Sequence, residues 1–509
     1  MATDDFFRAR LDTMIDLRHP LAVLATRMPW SEIEAALAPA FAHKDRKGGI
    51  VEGADLFGPT SELVGAGVSA RGRRRLPIRL MVSLLYLKHA FNLSDEELVQ
   101  RWSENVQWQF FSGMQYYEPK LPCDPTQIGR FRRVLGEAGV EELLKSTLDA
   151  AVKMKAVRPS EFERVIVDTT VQEKAIAHPV DSRLLEIARH KVAAAAKRAG
   201  IALKQTFARE GKHLRRKAGG YGHAKQFKRL RKAVKRQRTI LGVVMRDAQR
   251  GLEALRQGRS NAPPQSANAV PQLMTLLERA ERIRTQQRHS KNKLYAMHAP
   301  EVECIGKGKA RKPYEFGVKA GIVVTHRHGL IAGARTFPGN PYDGHALAEQ
   351  LQQTEVLLQD IGVVPKTVVV DLGFRGVDET VPDVQLLHRG KSRSLTVQQL
   401  RWVKRRQAVE PVIGHAKLDH RMDRCWLPGA TGDALHAVLC AAGYNIRWLL
   451  RAIQRKGVKA LFLALHELWR ALAHGGTSGL LKRAGLVGRR WIASIQARRP
   501  SADAVIELT

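Results

Sequence analysis

Residues 162–170 read Phe-Glu-Arg-Val-Ile-Val-Asp-Thr-Thr, and residues 366–371 read Lys-Thr-Val-Val-Val-Asp. Each carries a short apolar, β-branched run that closes on an aspartate, Asp168 and Asp371. Runs of this kind, without polar alternation, predict fully buried central strands. The shared grammar puts each carboxylate where its strand emerges from the core. In open α/β sheets ligands bind beyond the carboxyl ends of strands, so two such acids on parallel neighbours converge on one crevice. They would repel unless a cation lay between them. An aspartate after a strand is also an ordinary turn or cap residue, so neither is decisive alone.

Downstream of the first run, Tyr314–Thr325 and Leu330–Phe337 flank Arg327-His328-Gly329 and predict a β-hairpin. Residues 339–344 (GNPYDG) form a loop, and a helix from His345 to Asp360 leads into the Asp371 strand. Asp343 and His345 in GNPYDGH fall near the acids in this scheme, although such a loop is ordinary turn chemistry. Val384–Leu387 makes one more short strand, and Thr396–Leu418 is helical. The order of strand, hairpin, helix, strand, short strand and helix predicts a mixed α/β layer fold.

Upstream, Leu76–Gly113 has helical period broken at Asn92-Leu93-Ser94, with Ser94 as an N-cap and acids following it, so two helices are expected. A third follows over Pro125–Leu148. Such a helical unit suits a helix-turn-helix DNA reader and equally a plain packing unit.

Between the first strand and the hairpin the text is helical and basic. From Asp181 to Ser260 there are 23 Lys or Arg against 5 Asp or Glu, an excess of 18 in a chain whose formal charge is +35. A Pro/Ser/Asn linker at 260–272 and a helix over Leu273–Tyr295 complete the segment. The domain plan is therefore an all-α N-terminal domain (1–155), a sheet domain split into 156–180 and 301–450, a basic helical insertion (181–300), and a basic helical tail (451–509). From Leu480 onward the tail adds Lys482, Arg483, Arg489 and Arg490 to the charge.

Composition agrees with a folded protein that meets a polyanion. The 509 residues hold 84 Lys plus Arg against 49 Asp plus Glu, too basic for a typical metabolic enzyme, while 44% apolar content rules out a wholly disordered tail. Four scattered cysteines, Cys123, Cys304, Cys425 and Cys440, form no C-x-x-C pair and point to a reducing compartment. No apolar run is long enough for a membrane span, and the N-terminus has no signal-peptide pattern, so a cytoplasmic, nucleoid-associated protein is expected. Arg389-Gly390-Lys391-Ser392 ends like a phosphate loop but has Gln385 where the earlier Gly belongs. His466-Glu467 lacks the second His of a zinc-protease helix.

The last element is Arg406-Gln-Ala-Val-Glu410-Pro-Val-Ile-Gly-His-Ala-Lys417, whose offsets of 4 and 7 bring Arg406, Glu410 and Lys417 to one helix face. A solvated, ion-paired face has the same pattern. Pro411 predicts a bend or restart near Glu410.

Taken together, Asp168, Asp371 and Glu410, with Arg406 and Lys417 at R-x-x-x-E-x-x-x-x-x-x-K spacing, resemble the D-D-E transposases of bacterial insertion sequences. Within these the likeness is to insertion sequence family five of the four-and-five superfamily. RRRLPIRLMVSLLYLKHAFNLSDEELVQRW, KPYEFGVKA, GNPYDGH, VEPVIGHAKLDHRMDRCWL and AAGYNIRWLLR extend the likeness over roughly residues 60 to 455. One departure is Val403, three residues before Arg406, where the family signature often has Tyr.

The resemblance implies an RNase H-like core with Asp168, Asp371 and Glu410 as catalytic metal ligands. Three carboxylates suit two Mg²⁺ ions, with Mn²⁺ as a substitute. It implies double-stranded DNA as partner, both element ends and target, and a homodimer or higher assembly on DNA. Arg406 and Lys417 are expected to hold phosphates, Arg by its fork and Lys as a point charge. Arg215, Arg216, Lys228 and Arg229 of the insertion are expected to clamp DNA, although a solvated helical pair would carry the same charges. A non-catalytic DNA-binding regulator derived from a transposase, and an RNA-associated basic protein, are the competing readings.

Overall fold

Val165, Ile166 and Val167 are each at most 1% exposed, as are Val368, Val369 and Val370. Neighbouring side chains in a strand point to opposite faces, so burial of three in a row means that both faces are covered there. The computed structural model describes residues 9–41, 76–259, 268–287, 289–306, 313–377, 379 and 381–473. These two runs lie in a six-stranded mixed sheet made of β1 (Arg164–Glu173), β2 (Glu303–Gly306), β3 (Tyr314–Thr325), β4 (Ile331–Phe337), β5 (Thr367–Val369) and β6 (Gln385–Leu387). β1 pairs antiparallel with β3 and parallel with β5, which pairs parallel with β6. β4 and β2 share the other edge of β3, β2 against Tyr314–Gly317 and β4 beyond it. The hairpin and both apolar runs stand where the sequence puts them; β2, whose four residues carry no distinctive pattern, is an addition to the sequence reading.

Asp168 corrects the expectation for the first strand. It does not follow β1 but sits in its middle, because the long antiparallel partner β3 carries β1 on from Val165↔Thr325 to Glu173↔Gly317. The parallel partner β5 accompanies it only over Arg164–Ile166. Past that point β1 is paired with β3 alone until Cys425 N bonds Glu173 O at its far end, and the crevice opens in between.

The helices before the sheet are α1 (Leu11–Met14), α2 (Pro20–Ala25), α3 (Trp30–Leu37), α4 (Ile78–Ala90), α5 (Asp95–Glu104), α6 (Val106–Phe111) and α7 (Pro125–Lys153). Leu76–Gly113 therefore holds three helices rather than two. Ser94 caps α5 through Glu97 N, as expected, but Asn105 then ends α5 and caps α6 through Trp108 N. Four helices follow β1, namely α8 (Asp181–Arg198), α9 (Ala208–His223), α10 (Phe227–Arg256) and α11 (Ala269–Thr285). Their apolar faces, including Leu185, Val192, Leu241, Val244, Leu273 and Leu277, make a core of their own. Beyond the hairpin come α12 (Leu347–Leu358), α13 (Val397–Arg405), α14 (Val409–Leu418) and α15 (Gly429–Ala473). Much of the expected linker (residues 260–267) and the tail beyond residue 473 lie outside the described residues. Among the described residues no helix is long and apolar enough to cross a membrane.

One continuous core joins the N-terminal helices to the sheet, running from Leu21 and Trp30 through Leu84 and the β1 residues Val165, Ile166 and Val167 to Leu449. α15 is its spine, packing against α4, α7 and β4. Fully buried Asn445 bolts these elements together. Its Oδ1 accepts from Ile331 N at 3.0 Å, while Nδ2 donates to Ile331 O at 2.8 Å and Thr147 Oγ1 at 2.9 Å. Removing it strands a buried backbone donor and acceptor, so Asn445→Ala should cost on the order of 3 kcal/mol. The shift of the urea midpoint measures this, and a loss under about 0.5 kcal/mol would mean that the strand finds other partners.

Candidate active site

The two aspartates reach the crevice by strand register. Arg164↔Thr367 through Ile166↔Val369 pair in parallel, and continuing that offset past Val369 sets Asp168 beside Asp371. Asp371 Oδ1 accepts from Gly373 N at 2.8 Å, capping the short 3₁₀ turn Leu372–Phe374. It is thus both a cap and a crevice residue.

Glu410 arrives on α14. The helical text over 396–418 breaks at the 3₁₀ turn Arg406–Ala408 and restarts at Val409, as Pro411 leads one to expect. Pro411 falls in the first turn of α14, where its missing N–H costs no helical bond. The restart leaves Arg406 between the acids. Its Nη1 lies 3.0 Å from Asp168 Oδ2 and its Nη2 3.4 Å from Glu410 Oε1. A guanidinium fork can span two carboxylates in this way, whereas an ammonium is a single point.

Lys417 is not gathered with them. Its ammonium lies 3.6 Å from Glu315 Oε2 on β3, so it ties α14 to the sheet. Val403 is 5% exposed and packs in the core. Beside it Trp402 stacks under Arg164, with the guanidinium carbon 3.3 Å from the ring centroid.

A fourth carboxylate joins the crevice. Asp343 Oδ1 accepts from Thr169 Oγ1 at 2.9 Å and from Lys319 Nζ at 2.8 Å. A methyl group placed on Gly373 would lie 3.0 Å from Asp371 Oδ1 and 3.1 Å from Asp343 Oδ2, so these two carboxylates face each other across that glycine. Sequence reasoning treats Asp343 as a loop residue near the acids and does not single out Lys319. The available signal is that GNPYDGH and KPYEFGVKA both belong to the resembling stretches, and Asp343 and Lys319 are the charged pair that joins them.

The donors are hard carboxylate oxygens, the set that Mg²⁺ and Mn²⁺ prefer. Arg406 spans two of them, and Glu410, 63% exposed at its side chain, is directed toward Arg406. Among the described residues, ligand atoms of three His, Cys, Asp or Glu within 4.8 Å of one another occur at His89, His436 and Cys440 and not at the acids. Asp168, Asp371 and Glu410 therefore line one crevice without being drawn into a tight cluster.

The basic residues of the insertion lie at a helical hairpin. Arg215 and Arg216 are on α9, and Lys228 and Arg229 are exposed on α10 just past the turn at Lys225. Residues 211–236 hold 11 Lys or Arg and no acid, so nothing within this stretch neutralises the charge.

Residues 50–134 match the family model described as Transposase domain (DUF772), and residues 279–446 match the one described as Transposase DDE domain. Asp371 and Glu410 fall inside the second match, and Asp168 falls outside both. A protein of Rhizobium meliloti described as uncharacterized protein ORF8 in nfe locus is 41% identical over 224 residues, which is 44% of this chain and 95% of that protein. No solved structure matches.

Proposed function

Because the chain belongs to the DDE transposases of insertion sequences, we propose that it binds the terminal inverted repeats of its element and carries out metal-dependent strand cleavage and strand transfer. The observation that carries this reading is the meeting of Asp168, Asp371 and Glu410 along one crevice, with Arg406 spanning the first and the last. The sheet order, with antiparallel strands on one side of β1 and two parallel ones on the other, supports an RNase H-like core. The motif set supports membership of insertion sequence family five.

Asp168, Asp371 and Glu410 would hold two divalent ions. When bound, such ions supply activation of the attacking oxygen and stabilisation of the leaving oxygen. In the first step a water oxygen bonds to the scissile phosphorus and the 3′-oxygen leaves with a proton. In the second, that 3′-hydroxyl bonds to a target phosphorus and displaces the target's own 3′-oxygen. Four acids around one phosphodiester would repel it, so cations must stand among them. Arg406, already between Asp168 and Glu410, offers its fork to a phosphate, and Lys319 holds Asp343 in place. Lys417 steadies α14 through Glu315.

The insertion, with its own core and acid-free tip, acts as a DNA-clamping arm, and the N-terminal helices read the element ends. Joining two ends calls for at least a dimer on DNA, in the cytoplasm on the nucleoid. Competition binding tests the substrate. Duplexes carrying the element's inverted repeats should outcompete scrambled duplexes and RNA at constant salt. Equal binding to all three would favour the RNA-associated reading.

A further inference from the structure

Outside the crevice, three residues with soft-metal chemistry meet in the core between α4 and α15. His89 lies in the last turn of α4, while His436 and Cys440 lie one turn apart on α15. They are 1%, 5% and 0% exposed, and one ligand atom from each lies within 4.8 Å of the others. Cys440 Sγ is 3.7 Å from His89 Nδ1. A tetrahedral ion with a sulfur bond of about 2.3 Å and a nitrogen bond of about 2.1 Å holds S and N about 3.6 Å apart.

The surroundings are arranged as for a ligand set. His436 Nε2 is bonded to Arg421 O at 2.8 Å, which makes Nε2 the protonated nitrogen and leaves the Nδ1 lone pair free, the orientation that metal-binding imidazoles receive from a backbone carbonyl. Position is fixed too, because a methyl group on Gly443 would lie 2.5 Å from the His89 backbone, and only glycine lets α15 approach α4 this closely. Lys88, Arg132 and Arg421 bear on the His89 and His436 imidazoles. Lys88 is paired with Asp95.

We propose that His89, His436 and Cys440 form a structural site for a thiophilic ion of the zinc class, which staples α4 to α15. His89 lies in the first family match and His436 and Cys440 in the second, so the ion would lock the N-terminal helices onto the catalytic region. The site is separate in place and in ligand chemistry from the carboxylate crevice.

The full chain, purified without a metal-affinity tag or chelator, should contain roughly one zinc per chain, falling at least about tenfold in Cys440→Ser and in His436→Asn. Cobalt(II) added to metal-free chain should give the thiolate-to-cobalt charge-transfer band, absent from Cys440→Ser and retained in Asp371→Asn. That last variant separates this site from the carboxylates. Circular dichroism and gel filtration establish that each variant is folded; should Cys440→Ser not fold, His436→Asn with the cobalt titration decides. Folded wild-type chain that holds no zinc and develops no thiolate band with cobalt would overturn the proposal.

Discussion

Asp168→Asn, Asp371→Asn and Glu410→Gln should each lower end cleavage by about 10³-fold or more while leaving end binding within a few-fold of wild type. Each substitution keeps the shape and removes the charge that a hard cation needs. The three differ in what else they disturb. Asn at position 168 weakens the hold on Arg406 Nη1, and Gln at position 410 weakens that on Nη2. Asn at position 371 keeps an oxygen that can still cap Gly373 N. Asp371→Asn is therefore the cleanest of the set, with intact folding expected. Asp343→Asn tests the fourth carboxylate beside them, since it keeps an oxygen for Lys319 and Thr169 but not the charge. Its cleavage should fall less than that of the three. If Asp371→Asn cleaved at the wild-type rate, the crevice would be reduced to a capped turn.

Reversing Arg215, Arg216, Lys228 and Arg229 to Glu should weaken binding to every DNA sequence alike. The slope of log affinity against log salt should become shallower by about 3 to 4, since each phosphate contact contributes about 0.9. None of the four side chains is needed for the insertion's core, which is built from residues such as Leu241 and Leu273. Folding should therefore survive. Specificity for the inverted repeats should survive as well, because phosphate contacts carry no sequence information. An unchanged slope would remove the arm from the DNA and leave its charge as a solvated face.

Local pattern carries most of the fold. The apolar runs at 165–167 and 368–370 are strands buried on both faces, Ser94 is a cap, and Pro411 has the helix restart near Glu410, each as its own stretch of sequence requires. What escapes is set by partners distant in sequence. Asp168 lies mid-strand because β3, which begins only at Tyr314, carries β1 onward, and nothing within 162–170 encodes that length. Lys417 shares a helical face with Glu410 by count, yet buried Glu315 takes it. Asn105 is hidden inside a continuous helical period. Cysteine counting finds no transition-metal site because it looks for close spacing, whereas His89 and Cys440 are 351 residues apart and meet only when α15 packs on α4.

The most direct test of the central claim is incubation of the full chain with duplex DNA carrying the element's own ends, in Mg²⁺ and in chelator, with strand products resolved by length. The account predicts nicks at the element boundary that leave a 3′-hydroxyl, followed by joined products with target DNA, in Mg²⁺ or Mn²⁺ and not in chelator. Tight binding to the ends with no cleavage in either ion would contradict it and favour a DNA-binding regulator.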